Sequence, residues 1–248
     1  MKELLIIMLA VMPAGATDVK PVQQDPPPML MEIAVGSFEE EVDSVSSKLR
    51  RLMWESRRES YGRQINNAIA TRDPDAAQKA LDGLVREYPE LKKQEPHAIE
   101  YHQGNIAFWR GDLKSAYSEF DKAIKALEQE YPNGVPPGGQ YSDMNASFLS
   151  GLYFSRGATQ MHQGQFAKAI LDMDKAISVS PKPIAYMQVN KCRALIALKK
   201  YKEATESFEL AYKIDSQWAM NTKDKSLICE TLAKNSFQPQ PCLPPGKE

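Results

Sequence analysis

The chain has little of what reactive sites are built from. Among 248 residues there are 3 cysteines and 3 histidines, and His97, His102 and His162 stand apart from any cysteine pair, so no metal-ligand spacing is present. Lys and Arg total 31 against 32 Asp and Glu, a formal net charge of −1. That balance lacks the basic excess through which proteins hold nucleic acid or anionic lipid. There is no Gly-rich phosphate loop after a strand pattern, no HExxH, no GxSxG elbow and no evident Cys/His arrangement. No apolar run reaches the roughly 20 residues of a membrane-spanning helix. These absences count against an enzyme and predict no cofactor, no metal and no nucleic-acid partner.

What is present begins at the N-terminus with MKELLIIMLAVMPAGATD. Lys2, an apolar run from Leu4 to Met12 and the small residues Ala14-Gly15-Ala16 follow the order of a secretory signal peptide, residues 1–16, cleaved before Thr17. No cysteine stands at the cleavage point, so the mature chain is expected without a membrane anchor and exported, periplasmic or secreted. Residues 17–36 cluster prolines without a helical period and read as a disordered leader. In an oxidising compartment Cys229 and Cys242, which flank a helix end and the loop NSFQPQP, are expected to close a disulfide, while Cys192 reads as a packed thiol.

Ser37, with Glu39 and Glu40 behind it, has the chemistry of a helix start, and Val42, Val45, Leu49, Leu52 and Met53 follow at spacings of three and four. A capping helix over 37–57 is expected. Beyond it, Ala77, Ala116, Ala169 and Ala204 set a register. Four residues after each alanine come Leu81, Phe120, Met173 and Phe208; seven after come Leu84, Ala123, Ala176 and Ala211. Five before stand Arg72, Gly111, Gly164 and Lys199, and twelve before stand Ile65, Gly104, Gly157 and Cys192. Small residues let two helices of a hairpin approach, a bulky one fills the joint to the next hairpin, and glycine turns the chain between them.

This register resembles the tetratricopeptide repeat, a unit of about 34 residues made of two antiparallel helices. The resemblance implies an all-α, right-handed superhelical solenoid with units near 58–91, 97–130, 150–183 and 185–218, and a C-terminal capping helix and tail over 219–248. The Pro- and Gly-rich insert at 131–147 is expected as a loop, either a second binding element or an inert connector. The repeated Asp121-Lys122-Ala123 and Asp174-Lys175-Ala176 read as solvated faces of second helices.

In such repeats the first helices line a concave face. The family's exposed positions fall on Asn66 and Ile69; Tyr101, Asn105, Phe108 and Trp109; Phe154, Met161 and His162; and Tyr186, Val189, Arg193 and Ile196. Amides that bond a peptide backbone, set among aromatic faces, suit an extended peptide or a helix. Asn66, Tyr101, Asn105, Trp109, Phe154, His162, Tyr186 and Arg193 are the residues expected to hold a partner, with core packing the competing role for Phe108 and Trp109. A carboxylate clamp of the co-chaperone kind is not expected, because Gly62, Gly151 and Ser155 occupy its basic positions. The family's usual use makes a non-enzymatic scaffold of the cell envelope the leading expectation. The alternative is an inhibitor or immunity-type protein that neutralises one secreted toxin or enzyme, and an envelope hydrolase accessory is a third class. Asn145-Ala146-Ser147 would accept a glycan only in a eukaryotic secretory compartment.

Overall fold

A computed structural model describes residue 48 and residues 52–53, 55–136, 142–221 and 224–242. The expected signal segment, the leader and most of the expected 37–57 helix lie outside the described residues. The chain divides into two units, Met1–Met53 and Trp54–Glu248. The first is described only at helical positions 48, 52 and 53. All that follows concerns the second.

Among the described residues every regular element is helical. Residues 55–70 form α1. There follow α2 (Pro74–Glu87), the short α3 (Leu91–Gln94), α4 (Pro96–Trp109), α5 (Leu113–Glu130), α6 (Ser142–His162), α7 (Phe166–Val179), α8 (Ala185–Ala197), α9 (Tyr201–Ile214), α10 (Ser216–Asn221) and α11 (Lys225–Lys234). Helices α4 with α5, α6 with α7 and α8 with α9 pack as hairpins, and α5 on α6 and α7 on α8 form the joints between them. The array is a tetratricopeptide-type helical solenoid.

The register explains the packing position by position. Ala77, Ala116, Ala169 and Ala204 are all fully buried, as are Met173 and Phe208 four residues on. Gly104 and Gly157 are small by necessity: a Cβ on Gly104 would lie 2.6 Å from the Phe120 ring, and one on Gly157 3.2 Å from the Ala169 carbonyl oxygen. Cys192 fills the same position in the last hairpin, and burial pushes its thiol up to about 12, so it stays protonated and inert. The hairpin turns are alike whether or not glycine is present. Gly111 and Gly164 stand at φ 79° and 73°, and Arg72 and Lys199 adopt the same left-handed conformation at φ 59°. In each turn the following amide reaches back to close the first helix, as Asp73 N–H does to Ala68 C=O at 2.8 Å and Lys200 N–H to Leu195 C=O at 2.9 Å.

The joints also carry charge. The Arg156 guanidinium on α6 pairs with both oxygens of Asp172 on α7, at 2.8 and 2.6 Å, and with Asp121 on α5 at 2.6 Å. Burial pushes the Asp121 carboxyl up, but Lys125 and Arg156 more than offset this and hold it below the usual carboxylate range. One joint further, Lys191 on α8 reaches Asp174 on α7 at 2.6 Å. The two DKA aspartates are therefore not simply solvated. They occupy one register position on successive second helices, and each pairs with the cation that precedes Gly157 or Cys192 on the next first helix.

Three element boundaries differ from expectation. Helix α1 already covers 55–57, because neither proline nor glycine stands between 55 and 61 to break it, so the boundary expected at 57/58 falls inside a helix. Helix α6 begins at Ser142, within the expected 131–147 loop, since the Pro/Gly run ends at Gly139 and Asp143 supplies an acidic first turn. The Ser142 hydroxyl donates to Pro136 C=O at 2.5 Å and fixes that start. At the C-terminal end, α10 precedes the expected capping helix α11.

The end of the array is stapled. Cys229 and Cys242 form the disulfide, and Phe237, Cys229 and Cys242 pack against the cluster of Cys192, Phe208, Ile228 and Leu232.

Candidate functional site

First helices of successive hairpins touch one another directly, α4 with α6 and α6 with α8. Their shared face carries aromatic rings because a first helix meets its neighbours only along one stripe, and large flat side chains bridge the gap between stripes.

Two aromatic clusters occupy this face. In the first, the Phe148 ring stands edge-on to Tyr101 at 5.3 Å and to His97 at 5.6 Å, and Phe154 stands edge-on to Tyr186 at 4.9 Å. In the second, Phe108 meets Trp109 at 5.2 Å and His162 at 5.1 Å, both edge-to-face, and the Arg72 guanidinium lies over Trp109 at 4.9 Å. Asn105 lies between, one helical turn from Tyr101 and from Trp109. Its amide donates to Tyr101 C=O at 2.9 Å, and Asn190 repeats the arrangement on Tyr186 C=O at 2.8 Å. One N–H and the carbonyl of the Asn105 side chain remain for another partner.

Most expected partner-binding residues therefore fall into one neighbourhood. Tyr101, Asn105 and Phe154 are half-buried there, while Trp109, His162 and Tyr186 are exposed. Asn66 is exposed on α1, outside both clusters. Arg193 is exposed but engaged, bonded to Asn190 at 3.3 Å and paired with Asp224 at 3.4 Å. Together with Ile196, Leu227, Ile228 and Thr231 it lines a groove of about 290 Å³ between α8 and α11. Val189 is a correction: it is 1% exposed and belongs to the core, because α8 turns it toward Cys192 and Phe208. Phe108 is half-buried between Trp109 and His162, which leaves Trp109 as the more open of the two neighbours.

Two glycines on first helices have no packing reason to be glycine. A Cβ on Gly62 or on Gly151 would meet nothing within 4 Å. Each sits inside a helix, where glycine costs roughly 1 kcal/mol relative to alanine. A larger open groove, about 830 Å³, runs between α1 and α2 under Arg110 and is lined by mixed charges such as Asp75, Lys79 and Arg86. It shares no residue with the aromatic clusters. Among the described residues no group of three or more His, Cys, Asp or Glu is placed to hold a metal ion, and no helix is long and apolar enough to cross a membrane. The Asn145 amide donates to the Tyr131 hydroxyl at 2.7 Å from within α6, so the sequon lies on a helix rather than in a loop.

Sequence reasoning missed Phe148, His97 and Arg72 as members of this face. Phe148 falls in the first turns of α6, which repeat spacing assigns to no unit, and Arg72 reads only as a glycine replacement at the turn. The Phe108-to-His162 contact spans a 53-residue step in the alanine register and has no local signal.

Comparison with known families gives two adjacent matches to the tetratricopeptide repeat family model, at residues 150–183 and 185–217. They cover α6 from Ser150 through α9 and support a tetratricopeptide-repeat protein. No curated protein matches the chain.

Proposed function

We propose that the chain is a non-enzymatic protein–protein interaction module that holds an extended peptide or a partner domain along its first-helix face, as an exported scaffold of the cell envelope. The observation that carries the reading is the aromatic face across α4, α6 and α8, interrupted at Gly151 where a partner backbone meets no side chain. Rigid rings supply contact area at low entropic cost, and Asn105 offers both a donor and an acceptor to a peptide backbone. Glycine at a helical position with no intramolecular neighbour fits close approach of another chain, a use that offsets its cost to helix stability. The Cys229–Cys242 bridge supports the exported part of the reading, since such bonds persist in oxidising compartments.

The test is affinity capture from the native envelope fraction with the full mature chain, run beside Asn105→Ala, Tyr186→Ala and Gly151→Ala. The expected outcome is one or a few partners whose recovery falls with each substitution. Recovery identical across wild type and all the variants refutes the first-helix face. Fractionation of the native cell, with alkylation of free thiols, tests export. A chain found in the cytoplasm with Cys229 reduced refutes it.

A further inference from the structure

Resting on that peptide-binding reading, we propose that the turn edge of the face is a docking site for an acidic segment of the partner, one that carries Asp or Glu beside an aromatic or large aliphatic residue. Arg72, Trp109, Phe108 and His162 form one continuous row there, drawn from the first three hairpins, with successive contacts of 4.9, 5.2 and 5.1 Å. The two ends of the row are nitrogen donors and its middle is aromatic.

Among the described residues no carboxylate forms an ion pair with Arg72, whose guanidinium lies over the Trp109 ring. The carboxylates of the same turns are already committed: Asp73 accepts from Ala76 N–H at 2.9 Å, Asp112 from Ser115 N–H at 3.0 Å, and Asp75 from Arg110 at 2.8 Å. Stacking on Trp109 holds the Arg72 guanidinium in place without cancelling its charge, and leaves its N–H groups able to receive a carboxylate in two-point fashion. Arg72, Trp109 and His162 are all exposed. A guanidinium already fixed on an indole loses less rotamer freedom when an anion arrives, which favours binding. An apolar side chain next to that carboxylate reaches Trp109 and the half-buried Phe108. A basic or purely apolar segment would leave Arg72 unanswered.

Arg72 also supplies its own control. At φ 59° it occupies a conformation that glycine adopts without strain, so Arg72→Gly removes the cation while easing the turn. The experiment is selection of a phage-displayed random dodecapeptide library on the full mature chain, followed by fluorescence anisotropy of the selected peptides. The expected result is enrichment of sequences with Asp or Glu within two positions of Phe, Trp, Tyr or Leu. Their Kd should rise about tenfold or more for Arg72→Gly and for Trp109→Ala, with melting temperature not lowered by Arg72→Gly, and binding should weaken with added salt. Selected peptides without an acidic excess, or indifferent to Arg72→Gly, overturn the acidic dock. If those same peptides weaken on Asn105→Ala or Tyr186→Ala, the broader first-helix reading stands without it. No enrichment at all overturns the acidic dock together with peptide binding by this face.

Discussion

The joint between α5 and α6 and the joint between α7 and α8 solve one problem in two ways. At the second, the register steps by 35 residues, close to an ideal repeat, and one ion pair, Lys191 with Asp174, lies at its edge with side chains 25% and 47% exposed. At the first, the step is 53 residues, and Arg156, 16% exposed, pairs across the joint with Asp121 at 23% and within its own hairpin with Asp172 at 8%. Its guanidinium also lies against the Tyr117 and Tyr153 rings, and Tyr153 donates in turn to Glu128. The regular repeat stacks chiefly by shape, with its one ion pair at the surface. An interrupted one is held in register by a charge that is satisfied in only one arrangement.

The contrast can be broken most directly at its cations. Arg156→Ala strands two carboxylates, one of them almost fully buried, and is expected to cost about 3–4 kcal/mol, whereas Lys191→Ala should cost less than about 1 kcal/mol. Urea unfolding of the two variants measures the difference. Equal costs would mean that Arg156 does no more than a surface pair.

Acid should act on the interrupted side first. Burial lowers the His102 imidazole on α4 to about 4, and its Nδ1 has no hydrogen-bond partner. The folded state thus keeps this ring neutral, while the unfolded chain takes up a proton below about pH 6.5. Stability from this group is complete above about pH 6.5 and falls steadily until about pH 4, by roughly 2–3 kcal/mol in all. The Asp121 carboxyl, held low by Lys125 and Arg156, adds a loss at still lower pH, as its folded-state proton returns. Unfolding free energy measured from pH 8 to 4 should show the decline, and His102→Leu should flatten its upper part. A slope unchanged in that variant assigns the titration elsewhere.

Glycines sharpen the contrast between packing and presentation. Gly104→Ala forces a methyl against Phe120 and should destabilise by about 2 kcal/mol. Gly151→Ala should stabilise by about 0.5–1 kcal/mol while weakening partner capture. Thermal melts distinguish them, and destabilisation by Gly151→Ala would remove the reason for treating that position as reserved for a partner. The smallest effect is expected at the turns, where Lys199→Gly should gain up to about 1 kcal/mol by relieving a left-handed side-chain residue.

How much of this was legible in the sequence depended on the range of the interaction. The alanine register located the hairpins, the positions of close approach and the turn geometry, since these arise from steric rules repeated within about 34 residues. It even pointed to Arg72 and Lys199 as turn residues, although neither is glycine. Arg156 carried no such signal: its partners lie 16 and 35 residues away on two different helices, and the DKA aspartates looked like ordinary solvated charges. Helix α6 outran its repeat unit because nothing in the unit's spacing describes the turns added before it, and Phe148 was lost with them. On the face itself, the residue types at family positions were readable. Their mutual contacts, and the engagement of Arg193 by Asp224, were not, because they depend on α11 and on the angle between hairpins.

The disulfide has a consequence beyond holding a tail. A stack of similar hairpins resembles a one-dimensional crystal, in which each added layer exposes a surface much like the one it covers. Left bare, the outer side of α9 would be a growth face onto which another molecule's hairpin could add, and then another. By fastening the Gln240–Cys242 turn beside α9 through Cys229, the chain poisons that face with a surface unlike any repeat. Another molecule's hairpin meets there a surface that does not repeat its own.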